Sequence, residues 1–347
     1  MSVTLKDVAA KAGVSIGTVS NYLNNFSCVK TKNRERIEKA ISDLGFTPNV
    51  NARVLASGKS KNVIMYILSE HAISPTTWLH QLPVIQVVHD YLDEVGYTLQ
   101  ICIVRAGDDK DFYNRIRCDV EGRSAIGVLI LSVWQVPDLV INYLTEKSFP
   151  FVTLDNYCDN ENVNSIFFDN YGSMFSLVDM LYQLGHRRIA FVNVHTQQQD
   201  MKMRFHGYLD GMHRHKLEVT EDLILYGDFS IESGYSCTMH ALAANTHISA
   251  FLCGNDNMAV GAIKALTQKG FAVPAEISVV GVDNSIAAEA CPLRLQTVQF
   301  DLGKLGEASV KTLLNLINEK QRGEPVKLKL PFHIISGETI GTYRGKQ

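Results

Sequence analysis

From Lys61 onward the chain alternates two kinds of segment, and this alternation narrows the available folds more than any other feature. Short apolar, β-branched runs come first: NVIMYIL (62–68), YTLQICIV (97–104), IGVLIL (126–131) and FVTL (151–154). They are near-continuously apolar, as strands buried on both faces are. The stretch LPVIQVVHDYLDEVG between the first two reads as an amphipathic helix ending at Gly96. The pattern then restarts with RIAFVNV (188–194), LILYG (223–227), ISAFLCG (248–254) and EISVVGV (276–282), with helical MFSLVDMLYQLGH and MAVGAIKALTQKG among them. Strands alternating with helices build right-handed βαβ units and parallel sheets. Two successive sets predict an α/β body of two doubly wound subdomains with a cleft between them.

The first 62 residues follow a different rule. Leu5, Val8, Ala9 and Ala12 recur at helical spacing, with Thr4 placed to cap and Gly13 to end the helix. Ser15 can cap a second helix that buries Val19 and Leu23. Thr31 is expected to cap a third, in which Ile37, Ala40, Ile41 and Leu44 form one stripe and Gly45 the stop. A tight turn between the first two helices makes a helix-turn-helix unit in a three-helix head. It leaves Ser15, Ile16, Gly17, Thr18, Ser20 and Asn21 on or near the outside. Residues 1–62 hold ten basic and four acidic side chains; the remainder holds 23 and 32. A basic head on an acidic body points to a polyanion partner for the head. Small hydroxyl and amide side chains can reach phosphates or base edges in a major groove. A three-helix protein-interaction module is the alternative, and the charge disfavours it. The following FTPNVNARVLASGKSK carries Val50, Val54 and Leu55, apolar in a segment too short to be helical alone. The expected domains are a head at 1–47, a hinge at 48–61 and a two-subdomain body at 62–340.

Several classes of function find no support. The chain has no G-x-G-x-x-G after a strand, no phosphate-binding G-x-x-x-x-G-K-[ST], no H-E-x-x-H and no G-x-S-x-G. Its eleven histidines show no metal-ligand spacing, and His186, His206, His213 and His215 are expected on solvated helix ends or faces. Neither an enzyme nor a metal or other cofactor is expected. Seven dispersed cysteines suit reduced thiols in the cytoplasm. The absence of a basic-then-apolar leader or a 20-residue apolar run argues against secretion and against a membrane partner.

The head residues VTLKDVAAKAGVSIGTVSNYLN and RIEKAISDLGFTPNVNARVLASGKS resemble the DNA-binding head and hinge of LacI/GalR-family transcriptional regulators, from Val3 to Ser60. The resemblance implies that the second helix lies in the major groove, with Ile16, Gly17 and Asn21 at base-reading positions. Thr4, Ser15, Thr18, Ser20, Asn24, Thr31 and Asn49 match or neighbour phosphate-contacting or capping positions. It also implies that the hinge becomes helical on DNA and that Leu55, near Ala52, wedges into the minor groove. Asn21 stands where the family commonly has Arg. Asparagine pairs with adenine where arginine suits guanine, so a half-site unlike the usual one is expected.

The body resembles the periplasmic-binding-protein-like effector domain of the same family. That resemblance implies effector contacts from Arg204, Asp283, Asn255, Asp155 and Phe229. Asp256 and Asn257 are expected only to cap the helix starting near Met258. Arg204 and Asp283 could instead form an ion pair, and Phe229 could be ordinary core. The first subdomain's share falls on the loop SEHAISPTTW, with Trp78 or Ser69 as contributor. The combined expectation is a transcriptional regulator, a repressor, that binds a palindromic operator as a homodimer under control of a sugar-like small molecule. No tetramerisation helix is visible. The alternatives are a transporter's solute-binding protein, disfavoured by the basic head, and a sugar- or nucleotide-modifying enzyme.

Overall fold

Thr4 and Asp7 start the first helix by capping each other: the Asp7 amide donates to Thr4 Oγ1 and the Thr4 amide to Asp7 Oδ2. Helix α1 (Leu5–Ala12) ends at Gly13, whose φ of 63° lets the Gly13 and Val14 amides close back on the carbonyls of Ala10 and Ala9. Helix α2 (Ile16–Asn24) begins where Ser15 Oγ accepts the Thr18 amide at 3.1 Å. Helix α3 (Thr31–Leu44) stops at Gly45. Thr31 is not its cap. The extended backbone that marks a cap falls on Lys30, which gives no side-chain hydrogen bond, and Thr31 is the first helical residue. Val8, Ala9, Ala12, Val19, Val29, Ile37 and Ala40 form the buried core of this head. Tyr22 Oη also ties α2 to Glu38 on α3 at 2.9 Å.

The structure is a computed structural model that describes residues 3–24, 29–46, 60–69, 75–195, 197–244, 247–318 and 323–344. The chain divides into two compact units, Met1–Lys59 and Ser60–Gln347. Most of the expected hinge, with Asn49, Ala52 and Leu55, lies outside the described residues, as do the side chains of Asn24 and of 75–79.

The second unit is built on two sheets, and each of the eight expected strands is present, but 97–104, expected to be buried, is mostly exposed because it lies at a sheet edge. The first lobe holds β1 (Asn62–Ser69), α4 (Pro75–Glu94), β2 (Thr98–Arg105), α5 (Asp109–Glu121), β3 (Gly127–Leu131), α6 (Asp138–Glu146), β4 (Phe151–Leu154) and β5 (Ser165–Phe168). The second holds α7 (Asn170–Gln183), β6 (Ile189–Val194), α8 (Gln199–Arg214), β7 (Ile224–Gly227), α9 (Ile231–Ala243), β8 (Ala250–Cys253), α10 (Asp256–Gln268), β9 (Ser278–Val280), α11 (Ile286–Glu289) and β10 (Thr297–Phe300). Then come α12 (Leu302–Asn318), β11 (Lys327–Leu330) and β12 (Phe332–Ile335). The first sheet is parallel, in the order β11-β5-β4-β3-β1-β2; the second is parallel, in the order β7-β6-β8-β9.

The lobes are not simply successive. The chain leaves the first lobe after β5, returns after β10 so that α12 packs on α4 and β3 and β11 extends the first sheet, and crosses again into β12, which pairs antiparallel with β10. Residues 169, 301 and 331 therefore mark three neighbouring crossings. The short strands β5, β10, β11 and β12 carry too little pattern to be read locally. The KLKL of β11 alternates charge and apolarity because it is an edge strand.

Two further expectations change. The loop expected at 69–78 is already helical from Pro75, because proline has helical φ and lacks only an amide that the first turn leaves unbonded. His186 is buried at 1% exposure, not solvated. Its Nε2 lies 3.1 Å from the Gly341 carbonyl, and burial holds its pKa below the usual histidine value. His206 and His213 are exposed as expected.

Candidate functional site

The face of the head that matters is the outer side of α2. Val19 is buried and Leu23 packs beside it, which turns Ile16 and Asn21 outward; Ile16 is 49% exposed. A large apolar side chain displayed this openly on a small domain is unsatisfied by the fold. The hydroxyls have local work: Ser15 Oγ lies 2.8 Å from Thr18 Oγ1, and Thr4 Oγ1 donates to Asp7 Oδ2 at 2.7 Å. Thr4, Ser15 and Thr18 thus build the two helix starts, while Ser20 is half-buried and Thr31 exposed.

Gly17 stands in the first turn of α2, and the fold does not require it. A Cβ there would meet only Ser15 Oγ, at 3.8 Å. Glycine within a helix costs roughly 0.5–1 kcal/mol relative to alanine. Gly17→Ala is therefore expected to stabilise the head by about that amount in thermal denaturation. If a base edge approaches this backbone, the same change lowers specific DNA affinity by about tenfold, or 1.4 kcal/mol.

In the second unit the expected effector residues gather at the carboxyl ends of strands. Asp155 follows β4, Phe229 follows β7, Asn255 follows β8 and Asp283 follows β9. Arg204, on α8, is the hub. Its Nε donates to Asn170 Oδ1 at 2.9 Å, Nη1 to the Gly254 carbonyl at 2.6 Å and Nη2 to Asp283 Oδ1 at 3.2 Å. Asp200 Oδ2 lies 4.0 Å from Nη2, and the Phe300 ring sits 5.6 Å from the guanidinium. The ion pair weighed against ligand contact is therefore formed. Gly207 keeps this helix close to α7, since a Cβ there would strike the Tyr171 carbonyl.

Asn255 caps α10: its Oδ1 accepts the Met258 amide at 2.9 Å, while its Nδ2 and that of Asn257 both donate to the Phe229 carbonyl at 3.1 Å. The expected capping role of Asp256 and Asn257 thus passes to Asn255, because α10 starts at Asp256 and not near Met258. Asp256 is buried and accepts from Thr297 Oγ1 at 2.5 Å and the Ser285 amide at 2.7 Å; burial, with Asp283 adding, pushes its carboxyl up to about 7. Asp155, Phe229 and Asp283 all have positive φ, of 55°, 70° and 109°. Such backbone costs of order 1–3 kcal/mol and gathers at binding sites. Phe229 is half-buried and held in this conformation by the two asparagine amides.

A cavity of about 260 Å³ opens between the lobes, and of Arg204, Asp283, Asn255, Phe229 and Asp155 only Asp155 lines it. Its first-lobe wall includes Asp155, Tyr157 and Phe167; its second-lobe wall includes Tyr171, Gln199 and Asp200. The Gln199 amide also donates across the lobes to the Val133 carbonyl at 2.7 Å. Trp78 falls within α4. Tyr157, Phe167 and Asp200 were not legible in advance, since no periodicity marks a single residue one turn before Arg204 or on a four-residue strand.

Comparison with known proteins follows this division. Residues 4–49 match the model of bacterial regulatory proteins of the lacI family, and residues 178–340 match a periplasmic binding protein-like domain. The chain is 30% identical over 322 residues to a Bacillus subtilis (strain 168) protein named "Probable HTH-type transcriptional repressor ExuR", covering 92% of this chain and 93% of that one. The chain belongs to the lacI family. It is 29% identical over 323 residues to the HTH-type transcriptional repressor PurR of Pasteurella multocida (strain Pm70), covering 93% and 94% of the two chains. The lac repressor dimer bound to operator and the anti-inducer ONPF superposes with a TM-score of 0.84 at 28% identity, covering 98% of this chain and 99% of that one. A complex of the regulator CelR with cellobiose gives 0.69 at 28% identity, covering 97% and 99%. This lacI-family chain is thus a DNA-binding transcriptional regulator of the repressor type, and the transporter reading falls away.

Proposed function

We propose that this regulator binds a palindromic operator as a homodimer and that a small molecule in the cleft between its lobes sets its affinity for DNA. The outward face of α2 carries the first half of the reading. Ile16, Gly17 and Asn21 are offered to base edges, and Thr4, Ser15, Thr18, Ser20, Asn24, Thr31 and Asn49 lie at or near the phosphates. Ala52 and Leu55 belong to a hinge at 48–61 that orders between the 1–47 head and the 62–340 body. On the body, Arg204, Asp283, Asn255, Phe229 and Asp155, with Trp78 as a first-lobe candidate, form the effector site.

The second copy of the chain covers the β2 edge. Ile101 and Ile103 are 40% and 47% exposed on that strand, and an open apolar edge is a surface that another chain occupies. The protein acts by binding, without turnover, in the compartment that holds its DNA; we place it in the cytoplasm. Among the described residues no helix is long and apolar enough to cross a membrane.

The effector acts through its unequal affinity for two arrangements of the lobes, and can shift DNA binding by no more than that difference. The fragment 60–347, which has its own sheets and core, tests the division of labour. It is expected to stay folded and to lose all specific DNA binding in a fluorescence anisotropy titration. Retained binding would contradict the assignment of the head.

A further inference from the structure

The cleft is short of hydrogen-bond donors and of positive charge. Two of its carboxylates are provided for: Asp169 caps α7 through the Gly172 amide and pairs with Lys329 at 3.1 Å, and Asp283 pairs with Arg204. Asp155 and Asp200 are not. Among the described residues only burial and charge act on the Asp155 carboxyl, with no hydrogen bond to it, and Asp200 Oδ1 is buried without a partner. Asp200 Oδ2 reaches Arg204 only at 4.0 Å, an ion pair beyond hydrogen-bond distance. Burial raises the Asp155 carboxyl well above the usual carboxylate range, and the Asp200 carboxyl above it, despite the opposing pull of Arg204. A buried acid without a cationic partner resists ionising, and a ligand that brings positive charge between the two would reverse that.

The cavity wall agrees. Tyr157 and Phe167 meet edge to face with centroids 5.0 Å apart, and Phe168 and Tyr171 continue the aromatic surface. Aromatic faces attract cations, most strongly when the cation is an ammonium shielded from water. A metal ion does not fit, because no three His, Cys, Asp or Glu residues among those described are arranged to hold one.

We propose that the effector is an organic cation whose ammonium group lies between Asp155 and Asp200 against the ring surface of Tyr157, Phe167 and Tyr171. This rests on the reading of the cleft as the effector site. Both walls contribute, so the ligand bridges the lobes: Asp155 belongs to the first and Asp200 to the second.

The test is isothermal titration of the full-length chain with choline and with its uncharged isostere, 3,3-dimethylbutan-1-ol, beside glucose and glucuronate. Choline is expected to bind at least tenfold more tightly than the isostere and than either sugar. Asp155→Asn and Asp200→Asn should each reduce that preference at least threefold without lowering the thermal midpoint, since neither carboxylate holds a strong internal partner. Equal binding of choline and isostere, tighter binding of glucose or glucuronate, absence of measurable choline binding, or a preference that survives both substitutions would overturn the proposal. DNA affinity is read separately. Choline bound in the cleft with DNA affinity unchanged counts against the effector reading and leaves the cation site standing. A neutral sugar that binds more tightly and releases DNA does the reverse.

Discussion

Replacing Arg204 with methionine is expected to destabilise the second unit by about 3–5 kcal/mol, the usual cost of removing one partner from a buried ion pair. The side chain is 7% exposed and its partner Asp283 18%. Methionine fills the volume but leaves Asp283 without its cation and the Asn170 oxygen and Gly254 carbonyl without donors. The loss also spreads: Gly254 precedes Asn255, which holds Phe229 in its left-handed conformation. The variant should show a lowered upper thermal transition, an unchanged head transition and no effector response. A double variant that also carries Asp283→Asn should recover part of the stability, because the orphaned charge accounts for much of the loss. Unchanged stability in the single variant would show that the guanidinium is not the hub of the site.

Salt is expected to act still more strongly on DNA binding. Two heads whose sequences each carry ten basic and four acidic residues over their first 62 positions displace many counterions from phosphates. Six to ten such contacts lower affinity by roughly 10³–10⁵-fold between 50 and 200 mM salt. Anisotropy titrations over that range should give a steep linear fall of log affinity with log salt. Asn21→Ala should leave the slope in place and weaken binding only to the preferred sequence, since a base contact adds specificity and little counterion release. A flat response would exclude the phosphate backbone as the main partner.

Local pattern made much of this molecule legible. The near-continuous apolarity of 62–68 and 126–131 marks strands covered on both faces, which the six-stranded sheet confirms. Gly13 and Gly45 mark helix ends because left-handed backbone there favours a residue without Cβ. What escaped was long-range. Lys327–Leu330 becomes a strand only beside Ser165–Phe168, some 160 residues earlier, and no local signal carries that pairing. His186 looks like a polar residue after a helix, yet the chain's last described stretch folds over it through Gly341. In the cleft, Arg204 and Asp283 stood out within family-like segments. Asp200 did not, because its significance lies in an unfilled hydrogen-bonding position that exists only in the folded cleft, where Arg204 turns to Asn170, Gly254 and Asp283.

As proposed, α2 of a symmetric dimer reads DNA sequence. Selection of bound duplexes from a random pool by the full-length chain tests it most directly. The expected result is enrichment of an inverted repeat, with adenine favoured at the half-site position assigned to Asn21 and that preference lost in Asn21→Ala. Recovery of an unenriched pool, or of a single asymmetric site, would contradict it.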